Sequence, residues 1–251
     1  MRRKKAIVNS LIVSVLVLFV AFVSGAVSIP LRVFLFESDA TYGTIFWSVR
    51  FPRVVLAGLV GAALSVSGVL FQTLLQNPLA DPYTLGVSSG ASVGAVGAMF
   101  FSSFFVWKAL TIPFWSMLGA ISATILLFGI VSLLDRQFQL MTVLLIGILL
   151  ASFLSATTSL LLISSGEEMR SMMHWLFGSV SMRGYEHIYF LLPWLFIGIV
   201  VAYYDHAALD ALRHGEKKAY HLGVNVSQGK KRQYVVAALL AGAAVSVSGM
   251  I

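Results

Sequence analysis

The chain has 251 residues, of which 59% are hydrophobic and only 11% charged, with a net charge of +7 and no cysteine. A mean hydropathy of +0.91 excludes an ordinary soluble domain, and the lack of cysteine excludes disulfide frameworks and thiolate metal sites. In so apolar a chain the excess of Lys and Arg records membrane topology rather than affinity for nucleic acid.

A helical span needs roughly 20 apolar residues. Such runs occur at 6–29, 54–75, 85–106, 112–134, 140–163 and 188–204, and a seventh starts near Tyr234 and is still apolar at Ile251. The pattern predicts an all-α polytopic membrane protein, one transmembrane domain over residues 1–251 with a polar loop at 205–233. The opening MRRKK precedes a run that is long and has no clear small-x-small cleavage site, so it reads as a retained first span. With the N-terminus inside, the inner segments hold Arg2, Arg3, Lys4, Lys5, Arg136, Arg213, Lys217, Lys218, Lys230, Lys231 and Arg232. The outer ones hold Arg32, Arg50, Arg53, Lys108, Arg170 and Arg183, and this asymmetry supports a cytoplasmic N-terminus.

Span two carries Gly58, Gly61, Ser65, Gly68 and Gln72 at helical spacing, and span three Gly86, Gly90, Gly94 and Ala98, so close backbone approach is expected at both. Between them lies QNPLADPYTLGVSSG, residues 76–90. Pro78 and Pro82 stop span two, Asn77 and Asp81 can bond the freed backbone groups, and Gly86 begins the departure of span three. Span five has Ser152, Ser155 and Ser159 on one face. They either line a polar pathway or bond the carbonyls of their own helix. No Asp, Glu, His or Arg lies well inside a span, which disfavours an ion-coupled carrier and points to an attached motor for any transport.

The loop LDALRHGEKKAYHLGVNVSQGKKRQ admits two readings. It is a solvated basic loop, or short helices over 211–222, broken by Gly215 and Gly223, that plug into a cleft on another protein. Beyond it, VVAALLAGAAVSVSGMI (235–251) aligns without gaps on VVLAGLVGAALSVSGVL (54–70). The two spans point oppositely, so the pair implies an inverted repeat, and roughly three further spans are expected past residue 251. GVSSG at 86–90 fits G-x-S-x-G, a serine-nucleophile motif. It is weak in a Gly/Ser-rich helix, and its general base would have to be a His at the same depth, whereas His174, His187, His206, His214 and His221 all lie in loops or at span ends. The histidines show no metal-ligand clustering, and no phosphate-binding loop occurs, so no catalytic, cofactor or metal site is expected.

The stretch RFPRVVLAGLVGAALSVSGVLFQTLLQNPLADPYTLGVSSGASVG, with HWLFGSVS and HGEKKAYHLGVNV following in order, resembles the permease subunits of ABC importers for iron-siderophores, haem and cobalamin, the FecCD family. The resemblance implies the ten-span type II ABC importer permease fold, of which about seven spans are present. It also implies partners: a second permease subunit, two cytoplasmic ATPases that hydrolyse ATP in its stead, and an extracytoplasmic substrate-binding protein, all around a multi-pass chain embedded in membrane lipid. By the same resemblance Arg50 and Arg53 meet acidic residues of the binding protein, and three residues apart at a helix start they would share one side of the helix, although as residues alone they read first as anchors of a helix end. Asn77 and Leu79, and less directly Leu140 and Met141, form the inner gate. Gly215, Glu216, Ala219, Leu222 and Gly223 form the element that couples to the ATPases. The implied function is import of an iron-siderophore complex, with haem or cobalamin as alternatives and an ion-coupled secondary transporter as the rival mechanism.

Overall fold

The computed structural model describes residues 2–25, 40–83, 85–101, 110–135, 139–213, 215–221 and 226–251. Its regular elements there are all helical. They are α1 (Arg2–Val23), α2 (Ala40–Ile45), α3 (Phe51–Leu74), α4 (Val87–Phe100), α5 (Thr111–Leu134), α6 (Leu140–Ser164), α7 (Met169–Leu176), α8 (Tyr185–Tyr204), α9 (His206–Arg213), α10 (Glu216–His221) and α11 (Val226–Ser248). Five described segments are long and apolar enough to cross a membrane: Lys5–Val23, Tyr42–Leu74, Thr111–Leu134, Met141–Ser164 and Tyr185–Tyr204. The expected third span is a shorter apolar helix, α4, of 14 residues. The expected seventh lies within α11, whose helix starts before the apolar run and takes Lys230, Lys231 and Arg232 into its first turns.

The chain divides into two compact units, Met1–Gly58 with Val180–Ile188 and Leu59–Ser179 with Tyr189–Ile251. In the first, a π-helical turn at Phe46–Arg50 joins α2 to α3. A π turn spoils the regular bonding of an α-helix, and the Tyr185 hydroxyl donates to the Trp47 carbonyl there at 2.7 Å. Around it Phe22, Phe46, Trp47 and Phe51 interlock, with ring centroids 5.1–6.1 Å apart.

The second unit is built on α4. The glycine spacing predicted close approach, and it occurs between α4 and α5. A Cβ on Gly90 would lie 2.6 Å from the Gly119 carbonyl oxygen, and one on Gly94 would collide with the carbonyl oxygen of Trp115. Pairing of 94 with 115 and 90 with 119 makes these helices antiparallel. On another side of α4, a Cβ added to Gly86 would lie 3.4–3.5 Å from the Ala151 and Gly147 backbone, and Ser89 and Ser155 share a hydrogen bond, so α4 and α6 run parallel. The span-two stripe behaves differently: Gly61 and Gly68 have nothing within 4 Å of an added Cβ, and Ser65 and Gln72 are exposed.

The two copies of the repeat meet. Ser67 Oγ, fully buried, donates to the Ala237 carbonyl at 2.7 Å, and the Phe71 and Tyr234 rings lie 6.2 Å apart. Residue numbers rise along one helix as they fall along the other, so α3 and α11 are antiparallel, as an inverted repeat requires. One sequence pattern meets two environments: α11 is buried almost throughout from 236 to 249, whereas α3 leaves Gly61, Ser65 and Val69 exposed. α11 ends against the loop after α7, where Gly249 (φ +76) faces Gly178 (φ +73) and the Ser179 N–H donates to the Ser248 carbonyl at 2.6 Å. A Cβ on Gly178 would lie 2.7 Å from the Met250 carbonyl oxygen, so close contact and left-handed backbone both demand glycine there.

Candidate functional site

The turn after α3 is two Asx turns in series. Asn77 Oδ1 accepts the Leu79 N–H at 2.9 Å, and four residues on Asp81 Oδ1 accepts the Tyr83 N–H at 2.8 Å. Each carboxamide or carboxylate satisfies an N–H two residues ahead, across a proline that has none to offer. Asn77 and Asp81 thus bond the backbone as their chemistry predicts. Gln76 precedes them at φ 47, a left-handed conformation uncommon for such a residue. Burial first, and the Asp81 carboxylate second, push the Tyr83 phenol above its ordinary value, so it keeps its proton.

That left-handed kink aims Gln76 at the other polar segment. Its Nε2 donates to the Leu212 carbonyl at 3.2 Å, in the last turn of α9, where carbonyls lack helical partners. Leu212 also accepts the Gly215 N–H at 3.0 Å, and Gly215 accepts the Ala219 N–H at 3.0 Å, so one chain of bonds leads from the turn through α9 into α10. Gly215 has φ +102 and open space around it. That backbone breaks α9 from α10, as its spacing predicted. Ala219 is fully buried while Tyr220 is 73% exposed. Between the turn and α9 lies a cleft of about 640 Å3 whose lining includes Gln72, Gln76, Asn77, His206, Asp210 and Arg213.

A second anchor holds this region. Asp205, at the corner between α8 and α9, is buried. It accepts hydrogen bonds from Arg232 Nε at 2.6 Å, from the Arg232 terminal nitrogen and from Gln233 Nε2. Neither this fork nor Gln76 stands out from spacing alone. The available signal is a lone acid directly after an apolar run, matched by a basic residue directly before the next.

The other sequence candidates are placed as follows. Arg50 is buried in the π turn, and its terminal nitrogen donates to the Phe22 and Val23 carbonyls at 3.1 and 3.3 Å, whereas Arg53 is exposed. The expectation that the pair shares one side of a helix start is therefore corrected: the π turn shifts the register and turns Arg50 onto the end of α1. Arg50→Ala should destabilise the protein by about 1–3 kcal/mol, and Arg53→Ala by less than about 0.5 kcal/mol, read as melting shifts in detergent. Leu79 is 86% and Met141 67% exposed. The side chains of Leu140 and Glu216, and Leu222 and Gly223 altogether, lie outside the described residues. Ser152 and Ser159 donate to carbonyls of their own helix, at 2.9 and 3.0 Å, while Ser155 meets Ser89 at 3.3 Å. Ser88 is buried in the first turn of α4, not on the strand-to-helix elbow that a G-x-S-x-G nucleophile uses.

The chain is 44% identical over 218 residues to the uncharacterized ABC transporter permease protein YvrB of Bacillus subtilis, covering 86% of this chain and 61% of that one. It is 34% identical over 238 residues to the cobalamin import system permease protein BtuC of Halobacterium salinarum, covering 92% and 63%. The chain therefore spans somewhat under two thirds of the length of these curated relatives. A solved structure of an inward-facing ABC transporter of metal-chelate type matches 99% of this chain and 77% of its own at a TM-score of 0.86 and 26% identity. The FecCD transport family model matches residues 10–251, and with a fold of antiparallel repeats to match, this chain is a member of that family.

Proposed function

We propose that the chain works as a permease subunit of an ABC importer, lining with a second permease subunit the path of a metal chelate handed over by a substrate-binding protein and driven by partner ATPases. The observation that carries this reading is the Gln76–Leu212 hydrogen bond, which joins the QNPLADP turn to the α9–α10 pair. A gate and a coupling element must move together, and a bond from one to the backbone of the other supports that. In this reading Asn77, Leu79, Leu140 and Met141 face the path at its cytoplasmic end, with the N-terminus on that side. Gly215, Glu216, Ala219, Leu222 and Gly223 bear on the ATPases, and the cleft beside α9 admits part of them. Arg53 meets the binding protein, with Arg50 fixing the helix that presents it. Ser155 with Ser89 is the best candidate for a polar step on the pathway.

The relatives support a bulky metal chelate as cargo: cobalamin is named for one, and metal chelate for the solved transporter. We take an iron-siderophore complex first, with haem and cobalamin as alternatives. Affinity isolation from membranes in mild detergent tests the assembly, and the expected result is copurification of an ATPase and a binding protein. Uptake that follows an ion gradient and survives loss of the ATPase would overturn it in favour of a secondary carrier. Asn77→Ala and Leu79→Ala should raise leak or uncouple ATP hydrolysis severalfold without changing membrane insertion, measured in proteoliposomes. Wild-type behaviour of both would reduce the stretch to a turn.

A further inference from the structure

The faces of α5 and α11 are not fully occupied by each other. Along their junction runs an open groove of about 540 Å3, lined by Ile125 and Phe128 on α5 and Val235 and Leu239 on α11, with Gly129 opening its floor and Lys231 at one end. An added Cβ on Gly129 would have nothing within 4 Å, and Ile125 is 65% exposed. The groove is apolar along its length and cationic at its mouth. Of the three consecutive basic residues in α11, Lys231 is the one that lines the groove.

Its length selects the occupant. The lining residues on α5 run from Ile121 to Ser132, a rise of about 16 Å at 1.5 Å per residue. That is close to half of a hydrocarbon core roughly 30 Å thick. The cationic end lies beside Ser132, near the end of α5 at Leu134, and the other end lies near the middle of that helix. A partner helix crossing the bilayer calls for a groove through both leaflets. A single acyl chain fills one leaflet and ends in a headgroup at the boundary, where a lysine can extend toward the phosphate.

We propose that this groove is a binding site for an anionic phospholipid, one acyl chain lying along Phe128 and Val235 and the phosphate beside Lys231. The site does not depend on which cargo is carried. It is tested on the full chain purified in mild detergent and titrated with dioleoyl phosphatidylglycerol or dioleoyl phosphatidylcholine, counting retained lipids by native mass spectrometry. The anionic lipid should be retained about fivefold more strongly, the effect expected of one basic side chain near a headgroup. Lys231→Gln should remove that preference, and Gly129→Leu should lower retention of both lipids by filling the groove. Equal retention of the two lipids, or a preference unchanged by Lys231→Gln, would overturn the proposal. So would a Gly129→Leu protein that changes oligomeric state while keeping its lipid, because the groove would then belong to a protein interface.

Discussion

Gly94→Ala is expected to lower the melting temperature in detergent by about 2–12 °C, while Gly97→Ala, three residues along the same helix, leaves it unchanged or slightly raised. The difference is purely one of contact. A Cβ at Gly94 meets the Trp115 carbonyl oxygen, and one at Gly97 has nothing within 4 Å. Backbone cannot rotate aside as a flexible side chain does, so α4 and α5 must separate along their seam. Overpacking of this kind typically costs about 1–3 kcal/mol, and each kcal/mol moves a chain of this size by about 2–4 °C. Gly119→Leu should be more severe, since its Cβ alone already reaches the Gly90 carbonyl, and loss of monodisperse protein is its expected outcome. If Gly94→Ala and Gly97→Ala melt together, the α4–α5 seam is not as close as described.

The second large effect is expected at Asp205. Asp205→Ala removes the acceptor for Arg232 and Gln233 together. The Gln233 side chain is 1% exposed, so its amide is left without its carboxylate partner in a site closed to water, whereas Arg232 is about half exposed and recovers solvent. A stranded buried polar group costs about 1–3 kcal/mol, and the screened arginine adds little. The expected loss is about 2–3 kcal/mol, with Arg232→Ala costing less than half as much. Asp205→Asn should fall between them, because one carboxamide oxygen can still accept from Gln233. Thermal melts of the three variants separate a buried anchor from a surface ion pair: equal and small losses would mean that the fork is ornamental. The position of Asp205, where α8 turns into α9, means that its loss should also loosen the α9–α10 pair, read as faster proteolysis within residues 206–221.

Much of this protein was written in its sequence, and the reason is the solvent. Lipid offers no hydrogen bonds, so a spanning segment must be a helix or a strand of a closed barrel, and a spanning helix must be an apolar run of the right length. That is why α3, α5, α6 and α8 lie where hydropathy puts them, and why the two Asx-Pro pairs stop α3 where they do. The repeat was also legible, because its Gly, Ala and Ser survive in register in both copies. Tertiary structure alone decided which face of each helix is covered. The same GAA and SVSG pattern is buried in α11 and half open in α3, since a glycine promises close approach without naming the partner that approaches. It decided as well that Arg50 and Arg53, alike in sequence, part company: a single π turn rotates one onto the carbonyls of α1 and leaves the other in the open. The Gln76–Leu212 and Asp205–Arg232 contacts join residues 136 and 27 positions apart, and a contact across such distances depends on how whole helices pack, which no local pattern of residues encodes.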